Sequence, residues 1–173
     1  MVNRLDYRID NLSHEVKQRL KETVTRLMAE RGVTLADVAN LVFILQSPYY
    51  PTLTLDECLA SVNSVLEKRE VQFALLTGIT LDVCAEKGLL PEPIQTIIAS
   101  DEPLYGIDEV LALGITNVYG TIGLTNFGYL DKTKLGILAV VNDNPQAVHT
   151  FLDDLVAGLA AAASARLAHN GWT

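Results

Sequence analysis

TFLDDLVAGLAAAASARLAH, residues 150–169, decides the fold. Thr150-Phe151-Leu152-Asp153 has the form of a capping box, a hydroxyl followed three residues later by an acid, and marks a helix start. Val156, Gly158, Leu159 and a run of alanines then carry the helix to Arg166. Small residues on most faces let other helices approach closely, so this helix is expected at the centre of a helical fold. The run from Leu155 to Ala165 is only about half of the roughly 20 residues needed to cross a bilayer and is mostly alanine, so no membrane span is expected.

The same signals recur upstream. Leu12, Val16, Leu20, Val24, Leu27 and Met28 keep helical spacing between Ser13 and Gly32, where a glycine C-cap is expected. Thr34 with Asp37, and Thr54 with Glu57, each announce a further helix. Pro48 stops the first of these two, and the stretch Ser47-Pro48-Tyr49-Tyr50-Pro51 is a loop. The third helix should run to about Glu67. Leu75, Leu76, Ile79 and Val83 then hold the period from Val71 to Lys87, with Gly78 as a weak point. Pro91-Glu92-Pro93 opens a short helix over Ile94 to Ala99, and Ser100-Asp101-Glu102-Pro103 leads into the next. The segment GITNVYGTIGLTNFGYL, 114–130, suits a hairpin on propensity alone, and is read as helix or loop. The sum is a single all-α domain over 13–170, after an N-terminal tail of 1–12.

With 173 residues, 49% of them hydrophobic, the chain can bury one sizeable core. A net charge of -8 disfavours nucleic-acid binding, which needs clustered Lys and Arg, and favours cations. Its two cysteines, Cys58 and Cys84, are far apart beside apolar residues and read as buried thiols of a reducing cytoplasm. Met1 to Asp10 lacks the continuous apolar stretch of a secretory signal.

Acids stand beside apolar residues at three places: Asp108-Glu109 in GIDEVLAL, Asp131 in YLDKTKLGI, and Asp153-Asp154 in TFLDDLVAG. Each has an ordinary explanation. Asp153 and Asp154 suit the positive end of a helix dipole. Asp108 and Glu109 fit a solvated helix face, and Asp131 pairs with Lys134 one turn later. Taken together, several carboxylates in one pocket would repel one another unless a divalent cation sat among them, and oxygen-only ligation suits magnesium. No Cys is followed six residues later by Arg, and Asp-x-Asp, Arg-Pro and Gly-Lys pairs are absent, so other common phosphatase and P-loop signatures are missing. His14, His149 and His169 are scattered.

These three blocks, in this order, resemble the phosphatidylglycerophosphatase A family: an aspartate-glutamate helix, an aspartate-x-x-lysine motif and a paired-aspartate motif. The resemblance implies catalytic roles for Asp108, Glu109, Asp131, Lys134, Asp153 and Asp154, with the five acids as metal ligands. It implies a magnesium-dependent (or manganese-dependent) phosphate monoester hydrolase converting phosphatidylglycerophosphate to phosphatidylglycerol and phosphate. Unlike membrane members, the chain continues after Lys134 with Leu135-Gly136-Ile137, and it lacks a glycine-threonine-glycine-serine segment near the N-terminus. It looks like the soluble subfamily.

The expected setting is cytoplasmic, with peripheral contact at the inner membrane face through a helix bearing Lys17, Arg19, Lys21 and Arg26. A second reading is hydrolysis of a small soluble phosphate ester. A third is a non-catalytic helical module that binds metal or assembles as a homo-oligomer through apolar helix faces.

Overall fold

Two of the three capping boxes form in full. The Thr34 hydroxyl accepts the Asp37 N–H at 3.2 Å and the Asp37 carboxylate accepts the Thr34 N–H at 2.8 Å. Thr54 and Glu57 repeat the exchange at 3.3 and 2.8 Å. Both satisfy N–H groups that a helix start leaves without partners. Gly32 takes the left-handed conformation expected of a C-cap, at φ +84°.

The computed structural model describes residues 14–170, with side chains from 18 to 169; the tail assigned to 1–12, Ser13, and the side chains of Val16 and Lys17 lie outside that description. The elements are α1 (His14–Glu30), α2 (Leu35–Gln46), α3 (Leu55–Leu66), α4 (Arg69–Glu86), α5 (Ile94–Ala99), α6 (Ile107–Thr116), α7 (Gly120–Thr133), α8 (Ile137–Asn142) and α9 (Leu152–Asn170). No strand occurs among the described residues, as the all-α reading requires.

The 114–130 segment is helical. α6 runs to Thr116, a 3-10 turn covers Asn117–Tyr119, and α7 begins at Gly120. Local propensity loses here because small residues let α7 fold back on the end of α6: a Cβ at Gly123 would lie 3.0 Å from the Thr116 carbonyl oxygen.

α9 is the axis. Every residue from Phe151 to Ala165 is buried, against α2, α3, α4, α6, α7 and α8. Gly78 of α4 shows how close the approach is, since a Cβ there would sit 2.9 Å from Phe151 Cβ and overlap Leu155. The glycine that weakened the expectation for α4 is what lets the central helix dock. The alanine face is consumed in the core of this chain.

One stretch, Ile107–Thr133, is long and apolar enough by length and composition to cross a membrane, and the sequence reading passed over it in favour of Leu155 to Ala165. Only 28% of its most apolar window is buried. It is broken at the 3-10 turn, and its ends carry Asp108, Glu109, Asp131 and Lys132.

Candidate active site

Three helix ends meet at one cleft. The first turn of α6 supplies Asp108 and Glu109, the C-terminal end of α7 supplies Asp131 and Lys134, and the first turn of α9 supplies Asp153 and Asp154. All six line the same cavity of about 280 Å³. The dipole explanation is therefore correct in part, since four of these acids do sit at positive helix ends, yet it does not require the ends to converge.

The six fall into two sets. Carboxylate oxygens of Asp108, Glu109 and Asp154 lie within 4.8 Å of one another, close enough to share an ion. Asp108 Oδ1 and Glu109 Oε2 are buried without a hydrogen-bond partner among the described residues. Lys134 organises the other set. Its ammonium donates to Asp131 Oδ1 and Asp153 Oδ2, each at 2.8 Å, and reaches Asp154 Oδ1 at 3.4 Å. The backbone holds it there in a left-handed conformation, φ +45°, as the C-cap of α7. Asp153 spends its other oxygen on the Asp154 N–H at 2.9 Å. Asp131 and Asp153, also anticipated as metal ligands, thus face Lys134 in this arrangement.

Electrostatics follow the same division. Burial pushes Asp154 up to about 8, helped by the charge of Asp153; Lys134, at its longest contact, pulls the other way too weakly to prevail. Burial and the neighbouring Glu109 push Asp108 up to about 7. Burial works against the charge on Lys134, but Asp153, Asp131 and Asp154 together hold it above the ordinary lysine range.

Sequence reasoning missed Asp101, Asn142 and Thr150, which also line the cleft. Asp101 sits in a left-handed turn at φ +49°, and burial followed by the charge of Asp153 raises its pKa. Tyr105 lines the cleft as well and stacks edge-on against Phe151 at 6.0 Å. His149 lies outside this cleft, in an adjoining hollow, with Nδ1 2.9 Å from the Val141 carbonyl.

Asp82 was missed too. It is fully buried on α4, and both its oxygens accept backbone N–H groups of Phe151 and Leu152. Burial pushes it up to about 8, opposed by those two N–H groups and by Arg31. A signal existed: Leu75, Ile79 and Asp82 fall on one helical stripe, which places an acid on the buried face of α4.

The expected box at the start of α9 does not form. The N-cap is Phe151, whose carbonyl accepts the Leu155 N–H at 3.0 Å, one residue later than expected. Thr150 instead donates its hydroxyl to the Ile98 carbonyl at 2.6 Å.

Fold and site together define a helical protein with an acidic cleft built around a half-buried lysine. The chain belongs to the phosphatidylglycerophosphatase A family, whose profile matches residues 26–169. It is 60% identical over 143 residues to the uncharacterized protein YutG of Bacillus subtilis (strain 168), covering 82% of this chain and 86% of that one. The crystal structure of Bacillus subtilis protein ypjQ superposes with a TM-score of 0.87 at 51% identity, covering 90% of this chain and 97% of that one. That of the low temperature requirement C protein from Listeria monocytogenes gives 0.86 at 57% identity, over 89% and 98%. The family implies a phosphatase.

Proposed function

We propose that this protein is a divalent-metal-dependent phosphate monoester hydrolase acting on phosphatidylglycerophosphate or a closely similar lipid phosphate at the cytoplasmic face of the membrane. One observation carries the reading: beside Asp154, two buried carboxylate oxygens, on Asp108 and Glu109, have no hydrogen-bond partner among the described residues. Leaving a buried charge unpaired is costly, and a hard cation among oxygen donors removes the cost.

Asp108, Glu109 and Asp154 would hold magnesium or manganese, which when bound supplies charge neutralisation for phosphate oxygens and lowers the pKa of water. Lys134 contributes a fixed ammonium beside that centre. An incoming phosphate dianion can take over part of the bonding that Asp131 and Asp153 now give it, so the lysine steadies charge as the ester bond breaks. With three acids committed to the ion, the base that accepts the proton from the attacking water is Asp131 or Asp153, and the same group can return it to the departing alcohol. The domain over 13–170 carries all of these residues, and we assign the tail of 1–12 no part in the chemistry.

The lipid reading rests on the cleft's rim. Leu104 lines the cavity and is wholly exposed, and Ile107 and Val110 continue the exposed apolar side chains along α6. The basic helix offered earlier as a docking face is less suited, because Lys21 pairs with Glu67 at 2.6 Å and Arg26 with Glu30 at 2.5 Å. Lipid contact through the α6 rim also sets the ester next to the cleft.

The test is phosphate release by metal-stripped protein given magnesium or manganese. Substrates are phosphatidylglycerophosphate in mixed micelles, glycerol 3-phosphate and nucleoside monophosphates. Release from the lipid ester, dependent on metal and lost in Asp108→Asn, supports the proposal. Preference for a soluble ester would favour the second reading, and background release from every substrate would favour a non-catalytic metal-binding module.

A further inference from the structure

α2, α3 and α9 share one sequence signature at their starts but not one structure. Thr34 with Asp37 and Thr54 with Glu57 cap their own helices. Thr150 and Asp153 carry the same signature, yet Thr150 is turned to Ile98 and Asp153 to Lys134 and the Asp154 N–H. Two buried N–H groups of that helix start are taken by Asp82, 69 and 70 residues away in the chain. Its Oδ1 accepts the Phe151 N–H at 3.0 Å and its Oδ2 the Leu152 N–H at 3.0 Å.

We infer that Asp82 is a positioning residue for the cleft: by capping α9 from α4 it fixes the turn that presents Asp153 and Asp154, leaving Asp153 Oδ2 to Lys134 and the Asp154 carboxylate to the cleft. The inference rests on the reading of the cleft as a metal and phosphate site. Asp82 does not line the cleft and touches no group there through its side chain. It acts through the backbone of Phe151 and Leu152, two and one residues before the paired acids. A carboxylate that grips two successive N–H groups fixes both the height and the rotation of the first turn. A one-residue slip would turn Asp154 away from Asp108 and Glu109. Supporting groups of this kind typically change metal affinity about 10–100-fold when altered, though they make no contact with the ion.

The experiment compares full-length parent, Asp82→Asn and Ser61→Ala. The asparagine keeps the shape but sets an amide N–H against one backbone N–H. Ser61 is the control because it is another buried tether of the same helix, donating to the Ala163 carbonyl at 2.9 Å on a later turn of α9. Two quantities are read: the manganese concentration giving half the maximal rise in melting temperature, and amide exchange along α9. Asp82→Asn should raise that concentration at least about tenfold and speed exchange at Phe151 and Leu152, whereas Ser61→Ala should match the parent in both even where it melts lower. A parental midpoint in Asp82→Asn, or an equal shift in Ser61→Ala, overturns the inference. Should Asp82→Asn not fold, Asp82→Ser, which still accepts one N–H, carries the same comparison. A parent indifferent to manganese and magnesium would overturn the proposed function instead. Exchange alone then decides the cap: faster exchange confined to 151–154 supports it and unchanged exchange overturns it.

Discussion

Lys134 is a counter-ion set among the acids of the cleft. It pairs with Asp131 and Asp153 at 2.8 Å while keeping 26% of its side chain exposed. Lys134→Gln should lower metal-free stability by roughly 1–3 kcal/mol, less than a fully buried ion pair because solvent still reaches the site. The same change removes a positive charge next to the proposed metal ligands, so metal should bind more tightly while phosphate release falls. Thermal melting with and without manganese, beside an activity assay, reads both arms. Asp108→Asn acts in the opposite sense. It removes one of the repelling carboxylates, so metal-free melting should rise, and the manganese-induced increase should shrink from about 2.7 kcal/mol at a hundredfold excess over Kd. Asp153→Asn, at Lys134 and not in the three-acid set, should weaken the metal response less, and exposed Glu30→Gln should leave it unchanged.

Between the helices, small residues do the work that large ones do within them. Gly78→Ala places a Cβ against Phe151 and Leu155, whose side chains belong to the buried first turns of α9. Overpacking of this kind should destabilise by about 1–3 kcal/mol, although alanine is the better helix former in isolation, and denaturant melts will give the sign. The same trade explains what could be read in advance. Periodicity and caps located α2, α3 and α4 because those signals are local: Thr34, Thr54 and their acids satisfy their own helices. The start of α9 and the 114–130 segment were misjudged or left open for the converse reason. Thr150 has a partner on the far side of the chain, and Gly123 is read correctly only once α6 lies against it. Likewise the six cleft residues were found through motifs, whereas Asp101 carries no local pattern, and the stripe that places Asp82 on the buried face of α4 does not say which helix it meets.

As a whole, the molecule stores protons in its core. Asp82, Asp108 and Asp154 stand at about 8, 7 and 8 when folded, against an ordinary aspartate value of 3.8. Between about pH 4 and those raised values the folded chain holds protons that the unfolded chain has released, so stability falls as pH rises through that window. Metal-free protein should therefore melt higher at pH 5 than at pH 8. Glu86, held below the ordinary glutamate value by its hydrogen bond to Arg31, contributes its own dependence only at lower pH. The manganese-induced increase should grow over the same interval, because the ion competes with protons for Asp108 and Asp154. Scanning calorimetry at the two pH values, with chelator and with manganese, checks both slopes.

The buried axis α9 also follows α1 to α8 in the chain. Translation delivers the surrounding wall before the post that supports it. Until the ribosome has released residues through Ala165, the inward faces of α2, α3, α4, α6 and α7 lack the helix at their centre, and the nascent core stays open along that axis. Chaperones and proteases meet that open form first. A message interrupted ahead of Phe151 would yield a product lacking both the helix that fills the core and the paired acids of the cleft.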